Sequence, residues 1–559
     1  MSTNSLMHLG VQAMFAAQTQ MNTTGHNIVN SAVEGYSRQT VKLATVAGRS
    51  TGVGYIGGGV AVESVDRAVN QFLTSQSQRS QSIAKADSTR AGMLGQLESA
   101  HLLGESGLGQ AASRLFTAFG DMAASPKDEA VREVVLSAVD TTASRFRTTG
   151  ERLATLQTAT AQQLRDEVTV VNGLTGQIAD LNRQLAGTSG TSKQPNDLLD
   201  QRDALIAQLG EHIDVSRVDT RGHDGKPDGS VSLFVGGGQA LVLGTDVHAL
   251  KAISDDTVPG QVRIAVSVNG HDRELPTDSL QGGAIAGLLQ FQDDDLRKAR
   301  TELGMLAAGL ADAVNTQHAR GTDLDGVAGQ PLLQVGAPTA SASSRNARDS
   351  DGEWLAEVTV RRVAGQGEQL RASDYTLELD PRDSSKYQLT RHSDGTVFGG
   401  LDNGAQVDGF TFAVGATPMG QQDKFLLQPV SGAADAAALA ITDGRKLAAA
   451  GASAAGSGNT NALSLQNLAK ASLVEGNTFQ NAHARVISAL GVRVQRANSE
   501  STSSTQAAAQ AKAQLGSETG VNLEEEAARL LQFQQSYQAA AKVLVTAQKM
   551  FDTMLSVMN

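Results

Sequence analysis

Leu523, Leu530, Tyr537, Leu544, Phe551 and Met558 recur every seven residues without a break, close to the end of a 559-residue chain. Three residues after four of them stand Phe533, Ala540, Ala547 and Met554. Apolar residues at the first and fourth places of a heptad, sustained for about five heptads, describe a helix that seats one stripe in a facing helix. Asn522 can cap this helix, and Glu524, Glu525 and Glu526 fall in its first turn, where the helix dipole favours negative charge. The stripe runs to the last residues with no covering segment after it, so a coiled-coil seam is expected rather than a core helix of a globular domain.

The opposite end carries a matching signal. Met7, Met14, Met21 and Ile28 also fall seven apart, with Ala17 between two of them. No Lys, Arg, Asp or Glu occurs from Met1 to Val33. Such a segment has too little bulky apolar surface to fold alone and is expected to stay disordered until it meets a partner.

Composition removes several functions. A net charge of −12 argues against a nucleic-acid partner or a polybasic membrane role. The absence of cysteine excludes disulfides, thiolate zinc sites and cysteine nucleophiles. No stretch approaches the roughly 20 apolar residues of a membrane helix. The first basic side chain other than histidine is Arg38, so a cleaved secretory signal is not expected.

Between the ends the period changes twice. Leu164, Val168, Val171, Leu174, Ile178, Leu181 and Leu185 keep helical spacing, as do 198–213, Leu303 to Val314 and 479–514. Ser125-Pro126-Lys127-Asp128 reads as a helix start with Ser125 as cap. Alternating strands appear at Val231–Val235, Ala240–Leu243 and Arg263–Val268. They return at 357–360, 375–379, 386–390, 410–414 and 425–427. Glycine-rich stretches mark a helix stop at 187–192, a turn at 224–229 and a linker at 451–458. The fold class expected is an elongated, multidomain α+β protein, with a coiled-coil core of paired terminal helices, a mainly helical domain and two inserted β-rich domains. The expected domains are 1–35 with 522–559 (axial coiled coil), 36–215 with 285–320 and 453–521 (helical), 216–284 (first β insert) and 321–452 (second β insert).

Catalytic patterns are weak. Gly52-Val53-Gly54-Tyr55-Ile56-Gly57 matches G-x-G-x-x-G by letter, but a strand rather than a helix follows at Val60. Asp323-Leu324-Asp325-Gly326 resembles the opening of a calcium loop but has Gln334 where the bidentate acid belongs, so a polar turn is expected. Asp197, Asp200 and Asp203 share one helix face with Arg202, which fits a solvated face better than an acid/base pair. His318, near a helix end, suits a capping or interdomain hydrogen bond. No catalytic residue, metal site or cofactor is expected.

The terminal segments carry a resemblance. His26-Asn27-Ile28-Val29-Asn30-Ser31-Ala32-Val33-Glu34-Gly35-Tyr36-Ser37-Arg38-Gln39 resembles the N-terminal signature of bacterial flagellar axial proteins, and its G-Y-S-R-Q ending is similar to the hook-associated protein 1 family. Asn196-Asp197-Leu198-Leu199-Asp200-Gln201-Arg202-Asp203, Asn315 to His318, and the segments 520–527 and 530–537 are similar to further motifs of that family. The second insert carries little of it. The resemblance implies a structural, non-enzymatic protein of the hook–filament junction, extracellular and exported through the flagellar type III apparatus. Its implied partners are itself, hook protein, hook-associated protein 3 and an export chaperone. In the family the terminal helices pair. The residues expected to pack subunits are Met7, Met14, Met21, Ile28, Leu523, Leu530, Phe533, Tyr537, Leu544, Phe551 and Met558. The chaperone is expected on Leu523, Leu530, Phe533, Tyr537, Leu544 and Phe551.

Overall fold

The structure, a computed structural model, describes residues 3–51, 54–101, 107–188, 195–221, 227–452 and 458–558. Gly52 and Val53 of the glycine motif lie outside them, as does much of the expected turn, helix stop and linker at 224–229, 187–192 and 451–458. The helices are α1 (Thr3–Asn30), α2 (Gln71–Ala100), α3 (Leu108–Ala124), α4 (Glu129–Thr188), α5 (Asn196–His212), α6 (Gly283–Gln290), α7 (Arg297–His318), α8 (Thr460–Asn467), α9 (Phe479–Thr519) and α10 (Leu523–Met558). A hairpin of Gln39–Thr45 and Val60–Arg67 follows α1.

The helical body forms on the stripes that spacing marked. The seven stripe residues Leu164, Val168, Val171, Leu174, Ile178, Leu181 and Leu185 are all buried on the 60-residue α4. Helix α7 is buried almost all round and forms the central rod of the body. A Cβ on its Gly304 would lie 1.9 Å from the Val430 carbonyl oxygen, so only glycine fits that crossing. One helix start differs from expectation. Ser125 closes α3, its N–H bonded to Asp121, while Asp128 caps α4 by accepting from the N–H of Ala130 at 2.9 Å. An aspartate nearer the helix outcompetes the serine before the proline.

The first β insert is a wall of this body rather than a module apart. Its strands form a four-stranded sheet over 216–247 and a three-stranded sheet over 250–274, both antiparallel. Val231, Leu233, Leu241, Val242, Ile264 and Val266 join one continuous core with α4 and α6. Two amides on α4 pin the two sheets: Asn182 exchanges hydrogen bonds with Val231 (2.8 and 3.1 Å), and Asn172 with Leu250 (2.9 and 2.8 Å).

The second β insert has a core of its own. One sheet orders the strands 339–342, 425–428, 375–380, 383–391 and 397–401, and a second orders 358–362, 410–414 and 406–407. Between them Tyr375 meets Phe410 at 4.8 Å and Tyr387 meets Phe412 edge-on at 5.7 Å. The independent body is narrower than 321–452, because Leu332, Leu333, Val430, Leu447 and Ala449 in its neck belong to the helical core. The neck is tied by His318, which is buried, donates through Nδ1 to the Gln330 carbonyl (2.6 Å) and accepts at Nε2 from the Ala448 N–H (2.8 Å). Burial holds its pKa below the usual value, so it stays neutral. Asp323 folds back on the N–H groups of Asp325 and Val327, the polar turn expected there.

Two cores predict two unfolding events. In urea, the fluorescence of Trp354, which Arg348 covers at 3.4 Å, reports the second insert, and circular dichroism at 222 nm reports the helices. Phe412→Ala is expected to cost the fluorescence transition about 3–5 kcal/mol and leave the helical transition in place.

Candidate assembly site

Helices α1 and α10 pack side by side, antiparallel. Two contacts set their alignment. A Cβ on Gly10 would lie 3.4 Å from Leu544 Cβ, and Asn27 Nδ2 donates to Glu526 Oε2 at 3.0 Å. This places Met7 level with Ala547, Met14 with Ala540, Ala17 with Tyr537, Met21 with Phe533 and Thr24 with Leu530. Large faces small at most levels, which lets the backbones approach. Met7, Met14, Met21 and Ile28 are half-buried, as are Leu530, Phe533, Tyr537 and Leu544, while Ala16, Ala17, Ala540 and Ala547 are buried. The partner that the uncharged N-terminal segment needs is thus the chain's own C-terminal helix.

Within one chain α1 leaves three stripe residues uncovered: Leu523 is 52% exposed, Phe551 38% and Met554 48%. Leu523 lies level with the segment after Asn30, where α1 has ended, and Phe551 lies level with the first residues of α1. The side chain of Met558 lies outside the described residues. The pair also shows a second apolar surface facing outward, including Val11, Phe15, Val29, Leu531, Val545 and Leu555.

The sequence motifs converge where this pair meets the helical body. Asn27 donates to the Gln39 carbonyl and to Glu526, and accepts from the Gln39 N–H and the Tyr36 hydroxyl, all at 2.9–3.0 Å. Glu526, 1% exposed, also takes Arg529 at 2.8 Å. The Arg38 N–H bonds the Thr519 carbonyl at 2.8 Å, tying the signature to the end of α9. On the other side the Ser37 N–H bonds Asp200 at 3.0 Å, and Gln39 reaches Asp197 at 3.3 Å. Arg67 clamps Asp200 and Asp203, both at 2.8 Å, and Arg217 adds a second bond to Asp203 at 2.9 Å. Asp200 and Asp203 are therefore not a solvated face, because the hairpin's Arg67 binds both, whereas Asp197 stays exposed as expected. Arg202 is buried and donates to the Gly229 carbonyl and to Asp203. Burial and the nearby carboxylates Asp197, Asp200 and Glu526 push the Tyr36 phenol up to about 12, so it remains a donor to Asn27. Burial opposes ionisation of Asp203, but Arg67, Arg217 and Arg202 outweigh it and hold its carboxyl below the usual range. Asp200, Asp203 and Glu526 are each held by an arginine. His26 is exposed, with the Asn30 amide beside its ring and donating to its carbonyl at 3.0 Å. Among the described residues no helix is long and apolar enough to cross a membrane, and no group of three acids or histidines could hold a metal ion.

Comparison with known proteins agrees along the whole chain. Residues 94–333 match the family model of the flagellar hook-associated protein FlgK helical domain, and 517–557 that of the flagellar basal body rod FlgEFG protein C-terminal. Residues 345–429 match the flagellar hook-associated protein 1 D2-like domain, so the second insert, which carries few recognisable motifs, is part of the same likeness. The chain is 31% identical over 568 residues to flagellar hook-associated protein 1 of Salmonella typhimurium, covering 99% of this chain and all of that one. It is 29% identical over 563 residues to the Escherichia coli protein of that name, with the same coverage. The solved structure of the flagellar hook junction protein FlgK from Burkholderia pseudomallei superimposes with a TM-score of 0.71 at 25% identity, over 79% of this chain and 99% of that one.

The depressed Asp203 carboxyl sets a pH dependence. A group whose folded pKa lies below its unfolded value stabilises above the unfolded pKa, near 4, and that stabilisation is lost as pH falls through the folded pKa. Asp203→Asn is expected to lower stability at pH 7 by about 1.5–3 kcal/mol, since it takes a shared carboxylate from Arg67, Arg202 and Arg217, each of which keeps one other partner. The gap between variant and native chain should close as the pH is taken below about 4, read from urea midpoints.

Proposed function

We propose that the chain, which belongs to the flagellar hook-associated protein 1 family, is a structural protein of the junction between the flagellar hook and its filament. The observation that carries the reading is the antiparallel terminal pair whose outer face and overhanging end stay apolar in one chain. Burying a large apolar side chain contributes about 1.5–3 kcal/mol. Neighbouring subunits that cover Phe15, Leu531, Phe551 and Leu555 therefore offset the cost of ordering the terminal helices. Polymerisation and completion of the axial core are one step. The helical body and second insert project from that core, and the ring they form acts as a mechanical adaptor with hook protein on one face and hook-associated protein 3 on the other.

Export runs through the type III channel, before the terminal pair closes. An export chaperone then covers Leu523, Leu530, Phe533, Tyr537, Leu544 and Phe551 helix-in-groove. Helix α1 covers four of these in the closed chain, so the chaperone takes the place of α1. The role is structural, with no catalytic step.

In a strain lacking the gene, electron microscopy should show hooks without filaments, with flagellin shed into the medium. Complementation with the native chain should restore filaments and Leu544→Asp should not, while the Trp354 fluorescence of the variant stays native. Filaments in the deletion strain would refute the junction reading. Replacing 339–428 by a short linker, across ends that already pair as Thr339 and Gln428, should impair motility less than removing the last forty or so residues, scored by swarm diameter.

A further inference from the structure

The heptad stripes that join α1 to α10 do not by themselves choose an alignment. Both repeat every seven residues, so sliding α1 by one heptad toward the far end of α10, about 10 Å, gives an equally matched seam. Gly10 would then lie level with Phe551, Met14 with Ala547, Ala17 with Leu544 and Met21 with Ala540. Large again faces small. The slid seam would also cover Phe551 and Met554, which are 38% and 48% exposed as the chain stands. It would uncover Leu530, which then lies level with Ser31 past the end of α1, so one large side chain is lost for two gained and apolar burial alone does not favour the observed position. The connection permits it: 31–37 is wound into turns, and seven extended residues span up to about 23 Å.

We infer that the buried pair Asn27–Glu526 is the register pin of the terminal helices. Asn27 uses both donors and both acceptor positions, on Gln39, Tyr36 and Glu526. A slide of one heptad breaks all four bonds at once and draws Glu526, 1% exposed, away from its amide. A buried polar contact of this kind selects register at a cost in stability, whereas an apolar one tolerates several. The consequence for assembly, which rests on the junction reading above, is that the pin holds the far end of α10 open for a neighbouring subunit.

The chain has no cysteine, so engineered thiols report alignment without background. In the full-length chain, the pair Met14→Cys with Ala540→Cys reports the observed register. Met14→Cys with Ala547→Cys reports the slid one. With Asn27 and Glu526 present, only the first pair should form a disulfide under mild oxidation. Adding Asn27→Leu and Glu526→Leu together should raise the second disulfide from background to parity with the first, a gain of about tenfold or more. Glu526→Gln, which still accepts from Asn27, should keep the observed register. An apolar double variant that still forms only the first disulfide would overturn the proposal. So would one that forms neither, since the pair would then hold the helices together rather than choose between alignments. These outcomes stand whether or not the chain works at the junction.

Discussion

The axial end of this structure hangs on a contact between residues almost a whole chain apart. Asn27 and Glu526 are separated by 499 positions, and the helices that carry them cannot pair until both ends of the chain are present. Closing so long a loop costs entropy that the intervening domains do not recover locally. The helical body and the second insert each hold a core independent of the pair. The physical order that follows is domains first and termini last.

The joint converts this pairing into orientation. Arg38 binds the end of α9, Ser37 binds α5, and Gln39 and Asn27 hold each other. A shift of α1 along α10 is felt in the signature loop and then in the hairpin whose Arg67 grips Asp200 and Asp203. Buried ion pairs are weak sources of net stability, but geometry is another matter: a bidentate arginine tolerates little displacement. The joint is therefore a rigid coupling between the axial pair and the outer body.

The parts legible in the sequence were those with a period. The stripes of α1, α4 and α10 were visible because helical burial repeats along the chain, and the strands of both inserts because alternation does. Domain edges were less legible. The first insert changes period at 216 but shares its core with α4, since the asparagines that bind it sit on a helix rather than in the strands. The fates of Leu523 and Phe551 were not legible either, because heptad spacing says which face a residue occupies and not where the partner helix stops. Asp200 and Asp203 read as a solvated face with Asp197 because their arginine comes from position 67, which no local pattern links to 200. Asn27, Tyr36 and Glu526 stood out as motif letters, but their meeting was invisible without three-dimensional proximity.

If the paired termini carry the assembly through the apolar surface that one chain leaves uncovered, a cryo-electron-microscopy map of the hook–filament junction formed by this chain will show it. The map should place α1 and α10 innermost, aligned with Gly10 on Leu544, with Phe15, Phe551 and Leu555 buried by adjacent subunits. A map that leaves those residues in solvent, with subunits joined through the second insert instead, would contradict it.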